Sequence, residues 1–211
     1  MTDEIILWDY YRSSASYRVR IALNLAGVHY TKMPIDLLAA EHKTEEHLGR
    51  NPQGLVPVLD IDGMRLTQSL AMLEYLDETR GLGLLPEDAK ARAKVNAAAM
   101  AIAIDIHPVC NPKVVNHVTG GEEPARSEWM QHFIRPGLKA FEALITADDF
   151  NPEDGPYCAG HQLSLTDLCL MPQVYNADRW GADYSDCPRI IAVRDACLAH
   201  PAVKDAHPDN A

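Results

Sequence analysis

The sequence predicts an α/β domain followed by an all-α domain. Three observations carry this. Through roughly the first 80 residues, strand-like and helix-like segments alternate. Within that stretch Asp62-Gly63 stands between two short apolar runs, the mark of a tight hairpin. Beyond Pro86 no strand-like run follows, and Ala- and Leu-rich stretches favour helix.

Ile5-Ile6-Leu7-Trp8 reads as a short buried strand. Val19, Ala22, Leu23 and Ala26 then share one helical face within Ser14 to Ala26, and Gly27 follows as a stop. Tyr30 to Ile35 reads as a second strand, expected parallel to the first through a right-handed crossover. Val58 to Ile61 and Met64 to Thr67 form the hairpin, and Leu70, Leu73 and Leu76 mark a helix after it. The order βαβ, a variable middle, then ββα is that of a thioredoxin-like domain. Gly81 to Pro86 reads as a linker, its leucines expected to dock on both sides. These signals place the first domain at 1–83 and a C-terminal helical bundle at 88–211. Helices are expected over 89–106, 128–147, 165–180 and 189–199, with Pro108 and Pro112 interrupting the first and Pro136 disturbing the second. Ser164-Leu-Thr-Asp167 fits a capping box, with Leu163 and Leu168 placed as a hydrophobic staple, so Asp167 reads as helix nucleation.

A chain of 211 residues, 47% apolar, is long enough to bury a core without metals or disulfides. The formal net charge of −11, with no basic run, argues against nucleic-acid binding. It also repels small anions, so an anionic substrate would need local arginines to reverse the field. The five cysteines are scattered, odd in number and form no C-x-x-C, which reads as reduced thiols in a cytoplasmic protein. His107 and Cys110 could form half a metal site, but no further ligand motif accompanies them, and no metal is expected. The start, Met-Thr-Asp-Glu, is acidic, so no signal peptide is expected, and no apolar run is long enough to cross a membrane.

Three segments carry chemistry. Arg12 to Arg18 places serines between the first strand and the first helix, where hydroxyls and free N–H groups stabilise an anion or a thiolate. Taken alone, such a cluster is an N-cap. In Asn51 to Val58 a proline enters a strand after a loop, a position that is often cis, and the backbone of Val56 could pair with an extended peptide. An ordinary loop proline is the plainer reading. Thr67-Gln68-Ser69 at the next helix start offers N–H groups, a hydroxyl and an amide, suited to a carboxylate or simply to a cap.

With R-S-S-A-S-Y-R-V-R-I-A-L (12–23), N-P-Q-G-L-V-P (51–57), L-T-Q-S-L-A (66–71), D-I-H-P-V-C-N (105–111) and L-C-L-M-P-Q-V-Y-N-A-D-R-W (168–180), the chain resembles the zeta class of glutathione transferases, the maleylacetoacetate isomerase family. The resemblance runs essentially end to end. It implies a glutathione transferase fold, glutathione as cofactor, a small dicarboxylate substrate and a homodimer. Ser13 matches the serine that hydrogen-bonds the glutathione thiolate, and Ser14 and Ala15 continue its motif. Val56 and Pro57 match the pair meeting the cysteinyl backbone, and Gln68 and Ser69 the pair binding the γ-glutamyl end. His42, His107 and Asn111 match further contacts to glutathione or the neighbouring substrate. Arg12 and Arg179 match arginines that face substrate carboxylates. The implied activity is cis–trans isomerisation of maleylacetoacetate to fumarylacetoacetate in homogentisate catabolism, by reversible thiolate addition. Maleylpyruvate isomerisation and a generalist transferase or α-halo acid dehalogenase are the alternatives. Ala15 stands where the family motif usually has Cys, which excludes a covalent role for that side chain. Pro112 stands where many relatives have Leu, which predicts a different bend after Asn111.

Overall fold

The computed structural model describes residues 4–147, 150 and 155–210; the acidic start at positions 1–3 lies outside the described residues. The chain divides into two compact units, Met1–Leu82 with Pro201–Ala211, and Gly83–His200.

In the first unit, strands β1 (Ile6–Asp9), β2 (Thr31–Pro34), β3 (Val58–Ile61) and β4 (Met64–Thr67) form one sheet in the order β2-β1-β3-β4. β1 runs parallel to β2 and antiparallel to β3, and β3 pairs antiparallel with β4. The hairpin forms because Asp62 and Gly63 both take positive φ, 51° and 77°, the mirror-image turn whose twist matches paired strands. Helix α1 (Ser14–Leu25) buries Val19, Ala22 and Leu23, and packs against α3 (Ser69–Arg80). The variable middle holds a 3-10 turn, Glu41–Lys43, and a short helix α2 (Glu45–Arg50), capped by the Thr44 hydroxyl accepting from His47 N at 3.3 Å.

The second unit is all helical among the described residues, apart from an isolated bridge between Tyr157 and Gly160. It comprises α4 (Ala89–Met100), α5 (Pro112–Thr119), α6 (Ala125–Ile145), α7 (Leu165–Trp180) and α8 (Pro188–Ala199). α7 is the central helix, buried from Leu165 through Val174 and packed by α4, α6 and α8. Its start is fixed as the capping box requires. The buried Asp167 carboxylate accepts from Ser164 N at 2.8 Å, Ser164 Oγ at 2.6 Å and Cys158 N at 2.8 Å. Burial pushes this carboxyl up, while those hydrogen bonds pull it back. Leu84 of the linker is buried, its carbonyl accepting from Leu165 N at 2.9 Å.

Four expectations need correction. The expected second domain, 88–211, ends at His200. Helix α9 (Pro201–Asp205) and the residues after it belong to the first unit. Three side chains of α1 hold that tail by its carbonyls: Tyr17 Oη on Val203 at 3.4 Å, Arg20 Nε on Ala206 at 3.0 Å and Asn24 Nδ2 on Ala202 at 3.0 Å. The helix expected over 89–106 stops being α-helical at Met100 and continues as a π-helical segment, Ala101–Ile106. Gly137 of α6 admits Ile106 there, since a Cβ on it would lie 2.5 Å from Ile106 Cδ1. Pro112 does not bend α5. It occupies the first helical position, where its missing N–H costs nothing. Pro136 lies inside an uninterrupted α6.

Arg20 is 1% exposed and Nη1 lies 2.8 Å from both oxygens of the buried Asp9 carboxylate. Arg20→Met strands that charge, and should lower the unfolding free energy by roughly 3–5 kcal/mol in urea titrations.

Candidate active site

The end of β1, the start of β3 and the end of β4 lie at one edge of the sheet, because Trp8 pairs with Val58 and Val58 with Thr67. All three chemistry-bearing segments of the first unit continue from that edge. Topology therefore gathers what the sequence scatters over some fifty positions.

Ser13 is the N-cap of α1, extended at φ −67° and ψ 120°. Its Oγ accepts from Ser16 N at 3.2 Å. That bond uses a lone pair and leaves the hydroxyl proton free to be donated. The N–H groups of Ser14 and Ala15 lie in the first turn, which has no intrahelical partner to offer them. No acidic residue stands in that turn, so the helix end presents undiluted positive potential. Arg12, exposed just before it, leans on Tyr11, its Cζ 4.8 Å from the ring centroid.

The second segment is built by Asn51 and His47. Asn51 Nδ2 donates to Leu55 O at 2.9 Å while its Oδ1 accepts from Gln53 N at 3.0 Å. His47 Nε2 lies 3.1 Å from the same Leu55 carbonyl. The Val56–Pro57 bond is cis, as the sequence suggested. Gly54 takes φ +62°, and a Cβ there would lie 3.1 Å from the His42 carbonyl. His42 thus borders this loop. Burial first, then Lys43 and His47, hold its imidazole below the ordinary range, so it is neutral at pH 7.

The third segment holds a conformation the sequence does not announce. Gln68, the N-cap of α3, has φ +71°. For a side chain of this size that costs about 1–3 kcal/mol and persists only where the surroundings impose it. Its Nε2 donates to Gln53 Oε1 at 2.8 Å, joining the second and third segments. Ser69 is buried at the first helical position, and Arg18 Nη1 donates to its Oγ at 3.2 Å, joining the first and third. Again no acid occupies the first turn.

In the second unit, His107 and Asn111 flank a 3-10 turn, Pro108–Cys110. Asn111 caps α5, its Oδ1 accepting from Lys113 N at 3.1 Å, so its amide N–H groups remain for a ligand. Trp129 Nε1 secures the turn by donating to Val109 O at 2.8 Å. Arg179 is exposed in the last turn of α7, its Cζ 5.9 Å from the Tyr175 ring and 5.7 Å from the Trp180 ring. The sequence reading gives Arg18, His47 and Gln53 no role of their own. Their partners lie 8 to 51 positions away, which no local pattern reveals.

All five cysteines are buried, and none is in a disulfide. Burial pushes Cys110, beside Asn111, up to about 12, and Cys187 to about 11. Cys158 and Cys197 are also raised, by burial and then by the Asp167 charge. Among the described residues no group of three or more His, Cys, Asp or Glu could hold a metal ion. The native protein should therefore react with a disulfide reagent more than about a hundredfold more slowly than free cysteine, releasing five thiols after denaturation.

Residues 3–78 match the model of the glutathione S-transferase N-terminal domain. A maleylacetoacetate isomerase of Rhizobium meliloti is 55% identical, the match covering 100% of this chain and 99% of that protein. A holo structure named as a maleyl pyruvate isomerase, a bacterial zeta-class transferase, superposes with TM-score 0.92 at 37% identity, covering 98% of each chain. A Methylobacterium extorquens maleylacetoacetate isomerase, solved with malonate and glutathione, gives TM-score 0.91 at 37% identity over 98% of this chain and 97% of that one.

Proposed function

The chain belongs to the zeta class of glutathione transferases, the maleylacetoacetate isomerase family, and from that premise we propose that it isomerises maleylacetoacetate to fumarylacetoacetate, with glutathione as a cofactor that is not consumed. The observation that carries the reading is the Ser13 hydroxyl, fixed at a helix N-terminus with its proton free to donate. The residues suit a peptide-like thiol that carries a free carboxylate. One helix start offers a hydroxyl beside bare N–H groups, a second offers Ser69 backed by Arg18, and the loop that bears the cis proline is tied to the second through Gln53 and Gln68.

When bound, glutathione supplies a thiolate that adds reversibly to the cis double bond, which permits rotation before the thiolate leaves. This chain's residues set the conditions for that chemistry. Ser13 donates to the sulfur, and the N–H groups of Ser14 and Ala15 add the potential that keeps it ionised. Ser69 and the start of α3 receive the γ-glutamyl carboxylate, with Gln68 orienting it. Val56 offers its backbone to the cysteinyl residue beside Pro57. The family resemblance assigns further ligand contacts to His42, a neutral imidazole, in the first unit, and to His107 and Asn111 in the second. Arg12 and Arg179 hold substrate carboxylates through the two-pronged geometry of guanidinium. They also offset the repulsion that a net charge of −11 exerts on a dianion. The cysteines are buried, and burial holds the Cys110 thiol, beside Asn111, in its un-ionised form.

Maleylpyruvate is the second reading, favoured by the name of the structural neighbour at TM-score 0.92. The relative at 55% identity favours maleylacetoacetate. A cytoplasmic homodimer belongs to the same proposal and rests on the family resemblance. No helix among the described residues is long and apolar enough to cross a membrane.

Ser13→Ala should raise the pKa of the bound thiol and lower kcat/KM about a hundredfold. Ultraviolet titration of the thiolate in the enzyme–glutathione complex reads the first effect and isomerase rates the second. An unmoved titration would take Ser13 out of this role.

A further inference from the structure

Arg126 has no part in the motifs or in the reading above, yet its setting is unusual. It lies in the first turn of α6, and its Cζ sits 5.2 Å from the centroid of the Trp180 ring. Arg179 sits 5.7 Å from the same centroid. The Nε of Arg126 is shut off from solvent and has no hydrogen-bond partner. Neither guanidinium has an acid partner among the described residues.

Trp8 provides an internal comparison. Two arginines also lie over its ring, Arg50 and Arg65, each at 5.0 Å. Each of those holds an acid, Arg50 with Glu46 and Arg65 with Asp60. The pair on Trp180 lacks this neutralisation. Two like charges on one ring repel, and a buried N–H without an acceptor is costly. A carboxylate offsets the like charge of the two guanidinium groups, each of which can offer it paired N–H donors. Of the nearby acids, Glu123 accepts from Ser127 N and Oγ at 3.2 and 2.7 Å.

The position is apt as well. Trp129, one turn beyond Arg126 on α6, secures the turn between His107 and Asn111. Gln131 Nε2, on the same helix, donates to the Trp180 carbonyl at 2.8 Å. Arg126, Arg179 and the His107–Asn111 turn are thus tied to one end of α6.

We propose that Arg126 and Arg179, mounted on Trp180, form the subsite for one carboxylate of the dicarboxylate substrate, with Arg126 as a substrate-binding residue. This rests on the dicarboxylate reading above. Calorimetry with malonate in the presence of saturating glutathione tests it for the wild type, Arg126→Met and Arg126→Lys. Arg126→Met should weaken malonate about tenfold and raise KM for maleylacetoacetate by a similar factor, with kcat within about twofold and glutathione affinity unchanged. Arg126→Lys should fall between, since it keeps the charge and loses the fork. Equal malonate affinity in all three proteins, or no malonate binding by the wild type, overturns the subsite. Loss of malonate affinity in Arg126→Met, in a protein whose wild type isomerises neither maleyl acid, supports the subsite and sinks the isomerase reading instead.

Discussion

The first unit is organised around the buried ion pair of Arg20 and Asp9. Arg20 spends Nη1 on both oxygens of Asp9, Nη2 on the Tyr11 carbonyl at 2.9 Å and Nε on the Ala206 carbonyl. One side chain therefore joins the end of β1, the turn leading to Ser13, helix α1 and the returning C-terminal tail. A buried ion pair is a poor source of net stability, because desolvation consumes most of the attraction. Its value here is positional. Tyr11 is two residues before Ser13, and Ser13 N donates to Tyr10 O at 2.8 Å, so the cap is held from both sides of the turn.

From that fixed cap the remaining geometry follows. α1 carries Arg18 to Ser69, which sets the start of α3 against the start of α1. Gln68 is pulled into a positive φ at that junction and reaches Gln53, which closes the loop onto the helices. Two helix N-termini free of acidic residues then lie at one sheet edge. Each favours an anion by its N–H groups and dipole. An acidic protein can in this way hold a thiolate and a carboxylate without a basic surface. Within the second unit, Arg126 and Arg179 both rest on the Trp180 ring, whose face attracts their charge.

Much of this was legible in the sequence, for a physical reason. Strand alternation, the Asp62-Gly63 turn, the Ser13 cap and the Ser164–Asp167 box are written within a few residues of where they act. The Val56–Pro57 bond and the Gln68-Ser69 pair were legible only as motifs, because their local residues alone permit ordinary loops and caps. What was missed depends on distant partners or on subtle backbone choices. The tail returns because α1 presents donors to carbonyls 178 and 186 positions away. The π-helical turns of Ala101–Ile106 use residues that favour an α-helix equally well. Pro112 was read as a breaker when its position, directly after a capping Asn111, makes it a starter. Arg126 gives no sign in a charged stretch until Trp180 is placed beside it.

The central claim is that glutathione serves as a recycled cofactor in a cis–trans isomerisation. The most direct measurement follows the maleylacetoacetate chromophore together with the free thiol concentration, with maleylpyruvate in parallel. The account predicts no catalysis without glutathione, and many turnovers for each glutathione with the thiol count constant throughout. Consumption of one thiol for each substrate converted would contradict it, and would make the protein a conjugating transferase on the same scaffold.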